Sequence, residues 1–199
     1  MPIPHLKFAP SRNKSVAPNV GLSVVLVLLC TGLSACRRNS IDPNVPMSIT
    51  LTSEAFRNNG DIPQQFTCRG ANISPELSWQ SLPPATKSLA LILVDTHSPF
   101  VGYVHWVLYN LPPQPTTLPS SLPRDESLPN GTRQGINGDG KLGYIGPCPS
   151  SKSPHRYVFT LYALDTELAP STPVNNTELL NAMKGHILAA GQLAGHFHD

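Results

Sequence analysis

Proline recurs too often in this chain for long helices to survive. There are 22 prolines and 14 glycines among 199 residues, and a proline inside a helix removes a hydrogen bond and clashes with the preceding turn. Between these breaks lie four short runs: Glu76–Trp79, Ser88–Asp95 (SLALILVD), Tyr103–Leu111 (YVHWVLYNL) and Arg156–Leu164 (RYVFTLYAL). Each is rich in β-branched, aliphatic or aromatic residues and bounded by Pro, Gly or Asp, which is the signature of strands. The alternation from Ile187 to Phe197 predicts a closing strand. One helix is predicted, Thr177–Lys184 (TELLNAMK), with Asn176 or Thr177 as its cap and Gly185 at its left-handed end. Short strands, long turns and one late helix predict a mainly β chain, a β-sandwich with small helical additions. Pro112–Gly143 reads as an unusually long loop, either functional or a surface excursion.

The beginning of the chain bears on its destination. Met1–Asn19 carries Lys7, Arg12 and Lys14 and no acidic residue; an apolar run follows from Val20 to Leu33, then Leu33-Ser34-Ala35-Cys36. A basic segment, a short apolar segment and small residues before a cut are the parts of a secretory signal peptide. The cysteine after Leu-Ser-Ala resembles a bacterial lipobox. Residues 1–35 are therefore expected to be removed, with Cys36 acylated, residues 36–46 serving as a tether, and residues 47–199 forming the domain. That implies a lipid-anchored protein of the cell envelope, on the periplasmic face or the cell surface. Taking the three leader cations from the 14 basic residues leaves 11 against 12 acidic ones, close to −1. Such a near-neutral domain has no electrostatic footprint for nucleic acid.

Signatures of catalysis are missing. There is no Gly-x-Ser-x-Gly, no His-Glu-x-x-His, no phosphate-binding glycine loop and no Cys-x-x-Cys. What remains is a set of polar residues at strand ends: Asp95, His97, His105, His155 and Tyr157. Histidine inside an apolar run, as His105 is, serves more often as a satisfied core residue than as a ligand. Asp95 equally suits a turn cap. Cys30 leaves with the leader and Cys36 is expected to be acylated, so Cys68 and Cys148 remain as an even pair in an oxidising compartment. Bonded, they would close a loop of about 80 residues, worth ~4 kcal/mol in the chain-entropy view; two buried free thiols are the alternative, and a zinc pair with a histidine a further one.

Taken together, Phe66–Trp79 (FTCRGANISPELSW), Leu93–Pro99 (LVDTHSP), Val104–Pro112 (VHWVLYNLP), Gly143–Tyr157 (GYIGPCPSSKSPHRY) and Leu180–Gly195 resemble the phosphatidylethanolamine-binding protein family, in its bacterial Raf-kinase-inhibitor-like branch. The resemblance implies two antiparallel sheets with a small anion pocket at one end. Residue by residue, Asp95 matches the first aspartate of the family motif, Pro99 its closing proline and His105 the pocket histidine. Gly146 and Pro147 match the rim loop; His155 and Tyr157 match the His-Arg-Tyr pair. The implied function is non-enzymatic binding of a phosphate-like group or phospholipid head group, with no cofactor. Imidazole and phenol groups donate to anionic oxygens, and Asp95 is expected to orient or protonate a histidine rather than touch an anion.

Two departures from the family pattern stand out. His97 occupies the place of a second aspartate, exchanging a negative group for one that can become positive. That predicts tighter anion binding below a histidine pKa near ~6.5; a Zn²⁺ site is the alternative consequence. Asn137-Gly138-Asp139-Gly140 lacks an aromatic that relatives carry, which predicts poorer cover of the pocket. Two further function classes stay open. One is inhibition of a protease or signalling enzyme through an unidentified protein partner. The other is hydrolysis using Asp95, a histidine and Ser98, for which no oxyanion site is visible.

Overall fold

The computed structural model describes residues 44–98, 102–150 and 153–199, which belong to one compact unit, Arg37–Asp199. The leader, Cys36 and Pro99 lie outside the described residues. Nine strands and one α-helix follow in the order β1 Thr50–Thr52, β2 Gly60–Asp61, β3 Leu77–Gln80, β4 Ser88–Asp95, β5 Tyr103–Leu111, β6 Thr117–Leu118, β7 Arg133–Gln134, β8 His155–Leu164, α1 Asn176–Ala182 and β9 Ile187–Phe197. They form a three-stranded sheet, β1-β3-β6, and a six-stranded sheet, β2-β9-β8-β4-β5-β7. The mainly β, two-sheet expectation holds, with one short α-helix among the described residues.

Apolar burial explains why the long strands read as near-continuous apolar runs. One core lies between the sheets and includes Leu51, Trp79, Leu91, Trp106, Leu108, Tyr157, Phe159 and Leu193. A second core covers the other face of the large sheet, where Ala90, Ile92, Val107, Tyr109 and Tyr162 meet Leu179 and Met183 of the helical segment. Strands buried on both faces lose the polar alternation of a half-exposed sheet.

Three expectations are corrected. Sheet pairing is antiparallel except for β2 and β9, which run parallel through Gly60–Gly195 and Asp61–His196. The helix begins one residue early: Asn175 is its cap, accepting from Glu178 N–H at 3.1 Å while the Glu178 side chain accepts from Asn175 N–H at 2.8 Å. That reciprocal box satisfies two orphan donors, which neither Asn176 nor Thr177 could do with Glu178 at the required spacing. Pro112–Gly143 is no free excursion. Its β6 pairs with β3 in the small sheet and its β7 pairs with β5 in the large one. The Gln134 side chain accepts from Trp106 Nε1 at 3.1 Å and donates to the carbonyls of Pro123 and Asp125 at 2.6 and 2.8 Å.

Candidate functional site

Strands β4, β5 and β8 end side by side, and chemistry collects at that end. Register pairs Asp95 with both Tyr103 and Tyr157. Residues on one face of adjacent strands are neighbours, so an acid and two phenols meet on the inner face. His105 joins them through an irregularity. Val94 pairs with Val104 and Leu93 with Trp106, which leaves His105 as the extra residue of a β-bulge. A bulge re-aims one side chain; here it lets the consecutive residues His105 and Trp106 both turn inward. The His105 ring meets Tyr157 edge-on at 5.2 Å and Tyr103 at 5.0 Å.

Asp95 is buried and makes three hydrogen bonds. One carboxylate oxygen accepts the backbone N–H groups of His97 and Ser98, at 2.8 and 3.1 Å. The other meets His155 Nδ1 at 2.7 Å, with side chains only 7% and 13% exposed. The acid thus folds its own following turn and aims an imidazole. Three hydrogen bonds stabilise its negative charge, which still acts on the neighbouring His105 and Tyr157.

Hydrogen bonding fixes which nitrogen of two rings carries a proton. His97 Nδ1 accepts the Arg156 backbone N–H at 3.2 Å, so the neutral ring bears its hydrogen on Nε2. His105 Nδ1 faces the Ile145 carbonyl at 2.9 Å and must donate to it. Burial pushes the His105 pKa down, against the partial compensation of the Ile145 carbonyl and the Asp95 charge, so this ring is neutral at neutral pH. The Tyr157 hydroxyl is buried without a hydrogen-bond partner among the described residues, and the nearby Cys148 backbone N–H opposes the rise in its pKa. Burial, then the Asp95 charge, raises the Tyr157 pKa; it remains a phenol and a donor.

A second segment closes the inner side. Tyr144 donates to the Phe66 carbonyl at 2.6 Å, Gly146 N–H to the Asn72 side chain at 2.7 Å, and Cys68 N–H to the Pro147 carbonyl at 3.0 Å. Cys68 and Cys148 are disulfide-bonded, with Cα atoms 5.4 Å apart. Gly146 packs too closely on Phe66, Thr67 and Asn72 for any Cβ to fit, which is why glycine stands there. Gly146 and Pro147 therefore act through backbone packing and hydrogen bonds to residues 66–72.

The Asn137–Gly140 turn docks more tightly than its lack of an aromatic suggests. Gly138 N–H donates to the Val104 carbonyl at 2.8 Å, and Asp139 accepts the Tyr103 hydroxyl. Burial and that carboxylate together push the Tyr103 pKa up to about 12. Tyr103 and Asp139 were not legible as site residues, although the i, i+2 spacing of Tyr103 and His105 on a strand carries the signal.

The structure thus brings Asp95, His97, His105, His155 and Tyr157 to one end of the sandwich, with Gly146 and Pro147 behind them. No group of three or more His, Cys, Asp or Glu side chains among the described residues is arranged to hold a metal ion. Two open hollows are present: about 240 Å³ lined by Gln64, Arg69, Phe197, His198 and Asp199, where Phe197 is the cross-strand neighbour of His155, and about 340 Å³ near Val104, Asn137 and Asn176. The second is lined by no titratable group.

A profile of the phosphatidylethanolamine-binding protein family matches residues 52–198. The chain belongs to this family. It is 46% identical to a UPF0098 protein of Methanothermobacter thermautotrophicus over 147 residues, covering 74% of this chain and 97% of that one. Among solved structures, it resembles the phosphatidylethanolamine-binding protein homologue CT736 of Chlamydia trachomatis, with 37% identity and a TM-score of 0.70 over 77% of this chain and 99% of that one. It also resembles YbcL of E. coli, described as a member of the mammalian family, with 29% identity and a TM-score of 0.70 over 76% and 99% of the two chains.

Proposed function

We propose that this protein is a non-enzymatic binder of an anionic, phosphate-like group, held by His97, His155 and Tyr157, with Asp95 and His105 as the buried groups behind them. The observation that carries the reading is the buried Asp95 carboxylate beside His155 at 2.7 Å. A carboxylate that bonds an imidazole nitrogen and two backbone N–H groups fixes the direction of that ring. His97 supplies an Nε2–H whose direction is set by the Arg156 backbone, and Tyr157 supplies a buried hydroxyl. Charge-assisted bonds from such donors to an anion are about twice as strong as neutral ones. The family name supports a phospholipid head group as one source of the anion, and a free phosphorylated molecule is the other.

The protein is proposed to act at the cell envelope, anchored through acylated Cys36, because the leader and lipobox-like Leu33–Cys36 segment suit export. Two acyl chains suffice for a stable anchor. Metabolic labelling with palmitate, lost in Cys36→Ser, tests that part.

Calorimetric titration with sulfate, phosphate and phosphoethanolamine at pH 6 and pH 8 tests the binding. Sulfate separates protein protonation from ligand protonation, since its charge is constant over that range. Saturable binding, tighter at pH 6 and weakened about tenfold or more in His97→Asp, is the expected result. Absence of saturation by all three anions would overturn the reading.

A further inference from the structure

We propose that the Cys68–Cys148 disulfide is a covalent clamp that positions the inner rim of the anion site, and that a dithiol reductant releases it; the ligand part of this rests on the proposed function. The bond joins the turn after Gln64–Phe66 to the residue whose backbone N–H approaches the buried Tyr157 hydroxyl. The other described ties between these two segments are non-covalent: three single hydrogen bonds, Tyr144 to Phe66, Gly146 to Asn72 and Cys68 to Pro147, with Phe66 and Tyr144 sharing the inter-sheet core. Water competes for each of these hydrogen bonds once the segments can separate, whereas it cannot replace the covalent link. On the opposite side Ile145 is fastened to His105 in both directions, through Ile145 N–H at 3.0 Å and the Ile145 carbonyl at 2.9 Å. Displacement of the rim therefore reaches the histidine whose Nδ1 it fixes.

The bond is also reachable. Cys148 is exposed and Cys68 half-buried, and exchange proceeds by thiolate attack on a sulfur, so access governs its rate. The attacking thiolate of a dithiol bonds to one sulfur and expels the other as thiolate. Its second thiolate then closes the reductant's own disulfide, leaving Cys68 and Cys148 as two thiols. Two electrons pass from the dithiol to the protein.

Hydrogen exchange, read amide by amide before and after dithiothreitol and in a Cys68→Ser/Cys148→Ser variant, tests this. Protection of the Gly146 and Cys68 amides should fall at least tenfold, while Leu91 and Leu161 at the sheet centre keep theirs. Phosphate affinity should fall at least tenfold in step. Unchanged protection of Gly146 and Cys68 after reduction would overturn the clamp, and so would a matching loss at Leu91 and Leu161, which would mean global loosening. A protein that shows the local loss yet never bound phosphate when oxidised would sustain the clamp and refute the anion reading instead.

Discussion

Two aspartate–histidine pairs lie at opposite ends of strand β8, and their geometry is nearly the same. His155 Nδ1 meets Asp95 at 2.7 Å where the strand begins; His186 Nδ1 meets Asp165 at 2.8 Å just beyond its end. Their surroundings differ. Asp95 and His155 are 7% and 13% exposed, Asp165 and His186 43% and 46%. Asp95 also accepts two backbone N–H groups. An exposed pair in water is worth little, whereas a buried pair leaves an uncompensated charge when one partner is removed. Distance does not distinguish the two pairs; burial and the two added backbone hydrogen bonds do.

The contrast can be broken in order of size. Asp95→Ala strands His155 and two backbone donors, so unfolding free energy in urea should fall by about 3 kcal/mol or more. A change below about 1 kcal/mol would erase the difference between the pairs. Gln134→Ala tests whether burial alone, without charge, produces such a cost. It leaves Trp106 Nε1 and two carbonyls unpaired, and a loss of about 2 kcal/mol is expected in the same titration.

Burial gives His105 a pH signature. Burial lowers its folded pKa, so below about pH 6.5 the unfolded chain binds a proton that the folded one refuses. Its contribution is fully present above the unfolded histidine value, is lost as pH falls toward the lowered folded value, and levels off beyond it. The slope is at most about 1.4 kcal/mol per pH unit for one proton. Urea midpoints between pH 7.5 and 5.5 should therefore fall less steeply in His105→Gln than in the wild type. Smallest of all, Asp165→Asn should move stability by about 0.5 kcal/mol or less, and less again in high salt.

How much of this could be read in advance follows the same division. The four apolar runs and the alternation of Ile187–Phe197 located five of the nine strands within a residue or so at each end, because those strands carry the core. Strands β1, β2, β6 and β7 span two or three residues, too few for any period to show. Asp95, His97, His105, His155 and Tyr157 stood out because polar groups interrupt or end apolar runs. The bulge that turns His105 inward did not, since pairing register is set by partners distant in sequence. Nor did the role of Gln134, an amide in a stretch of Pro and Ser that looks like surface. Asp139 lies in a loop whose sequence predicts poor cover, yet a hydrogen bond from Tyr103 draws it in.

The most direct test of the central claim is an NMR titration of the histidine ring nitrogens with phosphate. The account predicts that His97, His105 and His155 shift together along one saturating curve, while His186 stays still or drifts linearly with salt. Equal, non-saturating shifts at His155 and His186 would contradict it, making the two pairs alike and the cluster no site.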